Sequence, residues 1–217
     1  MNAAVFGPEE FRAATNVSRE TVERLTAFVA ILAKWQAKTN LVGPGELSDL
    51  WRRHILDSAQ LVELAPGTAK VWADLGSGAG FPGLVLAVLL RERPQFHMHL
   101  VESNARKAAF LRESVRITGA PATIHDARIE SLAPLQAEIV TARALARLPE
   151  LLDFFDRHRA PAGIGLFFKG KDLSDELTAA ARSWSLKAES LPSRTGSGGQ
   201  ILRITSAERR ANGLPPG

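Results

Sequence analysis

The chain has 217 residues, 45% of them hydrophobic, and 27 Lys and Arg against 23 Asp and Glu give a formal net charge of +4. That length suits one α/β domain with an added element, and the charge balance leaves a basic face available to a polyanion. Cysteine is absent, which excludes disulfides, thiolate metal sites and cysteine nucleophiles together.

No apolar run approaches the roughly 20 residues that cross a bilayer. The longest, Leu84 to Leu90, is stopped by Arg91-Glu92-Arg93. Residues 1–15 carry Glu9, Glu10 and Arg12 and lack an apolar signal segment, so a cytoplasmic protein is expected, with no membrane partner. The N-terminal third reads as helical. Ser18 is placed to cap a helix in which Val22, Leu25, Phe28, Leu32 and Trp35 recur at steps of three and four. Asn40 to Gly45 breaks it, a second helix is expected from Leu47 to Leu64, and Pro66-Gly67 marks a boundary.

Beyond that boundary the period changes. Val71 to Leu75 reads as a strand, followed by a glycine-rich turn and an apolar helix from Leu84 to Arg91. A strand from Phe96 to Glu102 and a helix from Ala105 to Thr118 come next, then strands at Ala122–His125 and Ile139–Ala142. Pro149 sits in the first turn of a helix reaching Arg159, Gly163 to Lys169 reads as a buried strand, and Asp172 to Trp184 as the last helix. Leu186–Leu191 and Gln200–Ile204 form a closing hairpin across a Ser/Gly-rich turn, and the tail from Ala207 to Gly217 is expected to fray. The alternation predicts a Rossmann-like α/β fold: a mostly parallel seven-stranded sheet covered on both faces, with an N-terminal helical extension. The expected divisions are 1–65 for the extension, 66–206 for the core and 207–217 for the tail.

The informative segment is Asp74-Leu75-Gly76-Ser77-Gly78-Ala79-Gly80-Phe81-Pro82-Gly83, which ends a strand and opens a helix. Glycines there let the backbone take positive φ and approach a ligand. Gly78 to Gly83 satisfies the dinucleotide pattern literally, but Asp74 turns the reading towards S-adenosylmethionine. It precedes the first glycine by two residues and is placed to receive the methionine ammonium directly or through water, whereas dinucleotide enzymes keep that strand end apolar. Glu102 closes the next strand, where a carboxylate accepts from both ribose hydroxyls of either cofactor. The bland alternative is a tight turn that packs a helix on the sheet, with Asp74 as its cap.

These residues resemble the RsmG family, also called GidB, of small-subunit ribosomal RNA guanine-N7 methyltransferases. The resemblance runs from about Asn40 to Lys171: Asn40-Leu41-Val42, Arg53-His54-Ile55-Leu56-Asp57-Ser58, the glycine turn, Glu102-Ser103 with Arg106-Lys107 and Phe110-Leu111 after it, Arg128-Ile129-Glu130, Ala142-Arg143-Ala144 and Phe168-Lys169-Gly170. It implies cofactor contacts at Gly76, Phe81, Glu102, Ser103, Asn104, Ile129, Glu130 and Arg143, with Ile129 and Glu130 bracketing the adenine. The chain departs from the family where the last strand begins, with Gly199-Gln200 in place of a basic residue.

The residue inventory narrows the methyl acceptor independently. Pyrimidine C5 methylation uses a cysteine nucleophile, and none is present. Exocyclic-amine enzymes carry an Asn/Asp-Pro-Pro-aromatic loop where this chain has Thr141-Ala142-Arg143-Ala144-Leu145. Guanine N7 already has a free lone pair, so its methylation needs placement and no general base. Arg143 is the candidate on the acceptor side, donating to guanine O6, to a phosphate or to the cofactor carboxylate. The alternative is a structural salt bridge, with Asp74 as its partner. Lys169 either meets phosphate or caps a neighbouring helix, and His54 and Asp57, three apart, are expected to pair with each other and in that role can still shape the acceptor pocket. His97 and His99 share a strand face without a third ligand, so no metal is expected. Arg52-Arg53 and Arg106-Lys107 are phosphate contacts or solvated helix faces. A nicotinamide-dependent oxidoreductase would require a second substrate-binding half, and a non-catalytic RNA-binding assembly factor would not require an intact turn. The expected partner is ribosomal RNA or the small subunit, and a monomer is the default.

Overall fold

The computed structural model describes residues 6–196 and 198–210. The chain opens with two helices, α1 (Pro8–Thr15) and α2 (Arg19–Gln36). The sequence reading missed α1, although Pro8 occupies its first turn and Glu10 folds back on the Gly7 N–H at 2.9 Å. Ser18 caps α2 by accepting from the Thr21 N–H at 3.2 Å, and Val22, Leu25, Phe28 and Leu32 are buried as the spacing predicts. Each large apolar side chain so buried stabilises the fold by about 1.5–3 kcal/mol.

The expected helix from Leu47 to Leu64 is a chain of short pieces. A 3₁₀ turn (Glu46–Asp49) leads into a π-helical turn (Trp51–Leu56), then α3 (Asp57–Ala59) and α4 (Leu61–Leu64). The wider i→i+5 winding rotates residues three apart away from each other, with consequences for His54 and Asp57.

The core follows as β1 (Val71–Leu75), α5 (Gly83–Leu89), β2 (His97–Glu102), α6 (Ala105–Thr118), β3 (Ala122–Asp126), β4 (Ala137–Arg143), α7 (Leu148–His158), β5 (Arg159–Lys169), α8 (Leu173–Ala180), β6 (Trp184–Pro192) and β7 (Gln200–Arg209). The seven strands lie in the order β3-β2-β1-β4-β5-β7-β6, with only β7 reversed against its neighbours. Four of the five residues of β1 are buried without alternation, because helices cover both faces. Two apolar cores result. One joins α1, α2 and α5 to the sheet through Phe11, Phe28 and Trp72, and the other fills the opposite side around Phe155 and Phe167.

Several boundaries differ from expectation, among them β5, which begins at Arg159 and not at Gly163. Trp184 starts β6 and does not end a helix; its ring is buried and covered by the Arg209 guanidinium at 4.8 Å. The chain from Ala207 to Arg209 belongs to β7, where Ala207 is 1% exposed and accepts from Arg159 at 3.1 Å. Residues 211–217 of the expected frayed tail lie outside the described residues. Among the described residues no helix is long and apolar enough to cross a membrane.

Candidate active site

The strand order reverses direction between β1 and β4, the topological switch point at which open α/β sheets hold ligands beyond their carboxyl ends. A cavity of about 530 Å³ lies there, the size of a small-molecule site. Its floor is the turn after β1. Gly76, Gly78 and Gly80 take φ of 70°, 53° and 87°, a region that side chains rarely adopt. Glu102, at the end of β2, holds the turn open: Oε2 accepts from the Gly78 N–H at 2.9 Å and Oε1 from the Asn104 N–H at 2.7 Å.

Gly76, Gly78, Phe81 and Glu102 all line the cavity. So do Ser103 after β2, Ile129 and Glu130 in the 3₁₀ turn after β3, and Arg143 at the end of β4. Two of the expected residues stand outside it. Asn104 caps α6, its Oδ1 accepting from the Arg106 and Lys107 N–H groups at 3.0 and 3.2 Å. Asp74 is 1% exposed behind the turn, where Oδ1 accepts from the Thr141 hydroxyl at 2.7 Å and Oδ2 from the Gly83 N–H at 3.2 Å. Burial pushes its carboxyl up to about 6, against those hydrogen bonds. In this position it accepts from the first N–H of α5 and ties β1 to β4.

The opposite wall comes from the N-terminal extension through Leu41, Val42, Gly43, Glu46 and His54. Sequence reasoning tied Asn40-Leu41-Val42 to the site only by resemblance, reached His54 by its spacing to Asp57 as well, and missed Glu46. Glu46 accepts from the Gly43 N–H at 2.9 Å, which holds its carboxyl below the usual carboxylate range, with His54 and Arg53 reinforcing the effect. His54 stacks on Phe81 with ring centroids 4.8 Å apart. Burial, then the Arg143 charge, push its imidazole down to about 4, so it is neutral at pH 7. Its Nε2 lies 3.3 Å from Glu46 Oε2 without hydrogen-bond alignment.

His54 and Asp57 therefore do not pair, because the π turn sends them to different neighbours. Asp57 Oδ2 accepts from Arg143 Nη1 at 2.8 Å, so the salt bridge of Arg143 is with Asp57 and not with Asp74. Arg143 also donates to the Arg53 carbonyl at 3.2 Å and lies over the Phe168 ring at 5.1 Å. Lys169 is 9% exposed and pairs with Glu176 at 2.6 Å, while Glu176 accepts from the Leu148 N–H that opens α7. It is thus committed to helix capping. His99 Nδ1 lies 3.0 Å from His125 Nε2, and His97 pairs with Thr123.

The sheet order, with a glycine turn at the switch point, is the architecture of S-adenosylmethionine-dependent methyltransferases. A SAM-dependent methyltransferase of Aquifex aeolicus superposes with a TM-score of 0.57 at 11% identity, over 82% of this chain and 98% of the other. TYW2 of M. jannaschii in complex with AdoMet superposes with a TM-score of 0.53 at 13% identity, over 72% of this chain and 76% of the other. The family model described as rRNA small subunit methyltransferase G, GidB, matches residues 21–201. A protein named ribosomal RNA small subunit methyltransferase G in Parvibaculum lavamentivorans is 54% identical over 92% of this chain and 89% of its own length. One of the same name in Paramagnetospirillum magneticum is 52% identical over 94% and 97%. The chain belongs to the GidB family, and it is a methyltransferase that uses S-adenosylmethionine.

Proposed function

We propose that the chain transfers the methyl group of S-adenosylmethionine to N7 of a guanine in small-subunit ribosomal RNA. The relatives named for ribosomal RNA supply the acceptor class. The observation that supports the choice of N7 is that the cavity presents the Arg143 guanidinium while the groups best placed to take a proton are engaged or weakened. His54 has both nitrogens buried and its imidazole pushed down to about 4, Glu46 accepts from the Gly43 N–H, and Glu102 is held by two backbone N–H groups. N7 needs neither, since its lone pair is free before the reaction.

In this reading Glu102 accepts from the ribose hydroxyls, Ile129 and Glu130 flank the adenine, and Gly76, Gly78, Phe81 and Ser103 line the rest of the cofactor's path. The cofactor supplies a sulfonium-bound methyl group that a neutral nitrogen can attack directly. Asp74 and Asn104 shape the turn and α6 from behind. Arg143 faces the acceptor, where a guanidinium donates to guanine O6 or to phosphate. The basic net charge favours an RNA partner. A cytoplasmic location follows from that partner. Among the described residues Leu47 is the single exposed large hydrophobic side chain, which supports a monomer.

The test is chemical mapping. Reconstituted small subunits incubated with enzyme and S-adenosylmethionine should gain borohydride- and aniline-sensitive cleavage at one guanine, at a rate that does not climb steeply with pH. A methyl group found on an exocyclic amine, a ribose or a pyrimidine sinks the acceptor assignment.

A further inference from the structure

Asp57 is 3% exposed, yet its carboxylate gathers donors from two distant stretches of chain and from Gln60 three residues on. Oδ2 holds Arg143 Nη1 at 2.8 Å. Oδ1 accepts from Gln60 Nε2 at 2.6 Å, from the Ser193 hydroxyl and from the Thr195 hydroxyl at 3.3 Å. Ser193 and Thr195 belong to the turn between β6 and β7, which Gln60 also grips by accepting from the Arg194 N–H at 3.1 Å. Arg143, at the end of β4, is thereby fixed on three sides: the carboxylate, the Arg53 carbonyl and the Phe168 ring. A guanidinium has five N–H donors in a rigid plane. Two are engaged here, and the remaining three belong to a side chain that lines the cavity.

We infer that Asp57 is a positioning residue: it aims the Arg143 fork into the cavity, and the docked β6–β7 turn, by saturating its other oxygen, holds it in the orientation that does so. The inference rests on the reading in which Arg143 serves the methyl acceptor. If Asp57 merely knits the N-terminal extension to the sheet, its loss should act on stability, and on activity independently of Arg143.

A double-mutant cycle on single-turnover methyl transfer separates the two. Asp57→Asn should lower the rate by about tenfold or more, the loss of one charge-assisted hydrogen bond. Affinity for S-adenosylhomocysteine should stay within about twofold. In an Arg143→Ala background the same substitution should change the rate by less than about twofold, since nothing is left to aim. Equal losses in both backgrounds overturn the inference. Should Asp57→Asn fail to fold, Ser193→Ala with Thr195→Val leaves the carboxylate and Arg143 in place while releasing the turn. Its rate should fall by about threefold or more in the wild-type background only, and an unchanged rate refutes the role of the turn. Wild-type enzyme mapped alongside keeps the two readings apart: if it makes no N7-methylguanine the proposed acceptor fails, whatever the cycle shows.

Discussion

The two walls of the cavity are held by different kinds of bond. The wall made by the turn after β1 is held mainly through backbone groups: Gly78 and Asn104 donate to Glu102, and Gly83 donates to Asp74. The wall made by Glu46 to Asp57 with Arg143 is held at Asp57 by side chains that meet across 86 to 138 residues of sequence, with the Gly43 N–H fixing Glu46 locally. A backbone-held wall is set by where glycine is allowed, and it tolerates little change. A side-chain-held wall can reorient when one partner changes, which suits recognition of a large acceptor more than of a small cofactor.

Substitutions should respect that division. Gly78→Val should have the largest effect, on ligand binding. Its φ of 53° is strained for a β-branched residue, and nothing but the Gly76 carbonyl, 3.7 Å away, would restrain the new side chain from the cavity. Calorimetry should show affinity for S-adenosylhomocysteine reduced by more than about a hundredfold, with the fold retained. Asp74 gives the next largest effect, on stability. Because burial raises its pKa from 3.8 to about 6, the folded chain binds a proton in that window that the unfolded chain has released. Stability therefore falls as pH rises between those values, by about 3 kcal/mol at most. Asp74→Asn should flatten that slope in urea midpoints, and a slope that persists would assign it to another group. Gly83→Ala should cost about 1–3 kcal/mol, since a Cβ there would sit 2.5 Å from Asp74 Cβ. Ser18→Ala, remote from both walls, should cost about 1 kcal/mol of stability and leave methyl transfer unchanged.

The same division decided what could be read from the sequence. The glycine turn, Glu102 and the alternation of strands and helices are local patterns, and the structure reproduces them to within a few residues. Ser18 and α2 were legible for the same reason. The second wall was not. The π turn at Trp51–Leu56 leaves no propensity signal, so Leu47 to Leu64 read as one helix and His54 was paired with the wrong neighbour. The true partner of Asp57 lies 86 residues away at Arg143, and its other donors lie in a Ser/Gly-rich turn that looked like a simple connection. Asp74 shows a subtler limit. Its spacing to the glycines was right, but spacing cannot say whether a carboxylate faces the cavity or the back of the turn.

One paired measurement tests the account most directly: calorimetric affinity for S-adenosylhomocysteine and single-turnover methyl transfer, compared for Glu102→Ala and Arg143→Ala. Glu102→Ala should weaken the cofactor product by about ten- to a hundredfold, the loss of hydrogen bonds to a charged group. Arg143→Ala should leave that affinity within about twofold while methyl transfer falls by about tenfold or more. If Arg143→Ala weakens S-adenosylhomocysteine as much as Glu102→Ala does, both walls serve the cofactor and the division proposed here is wrong.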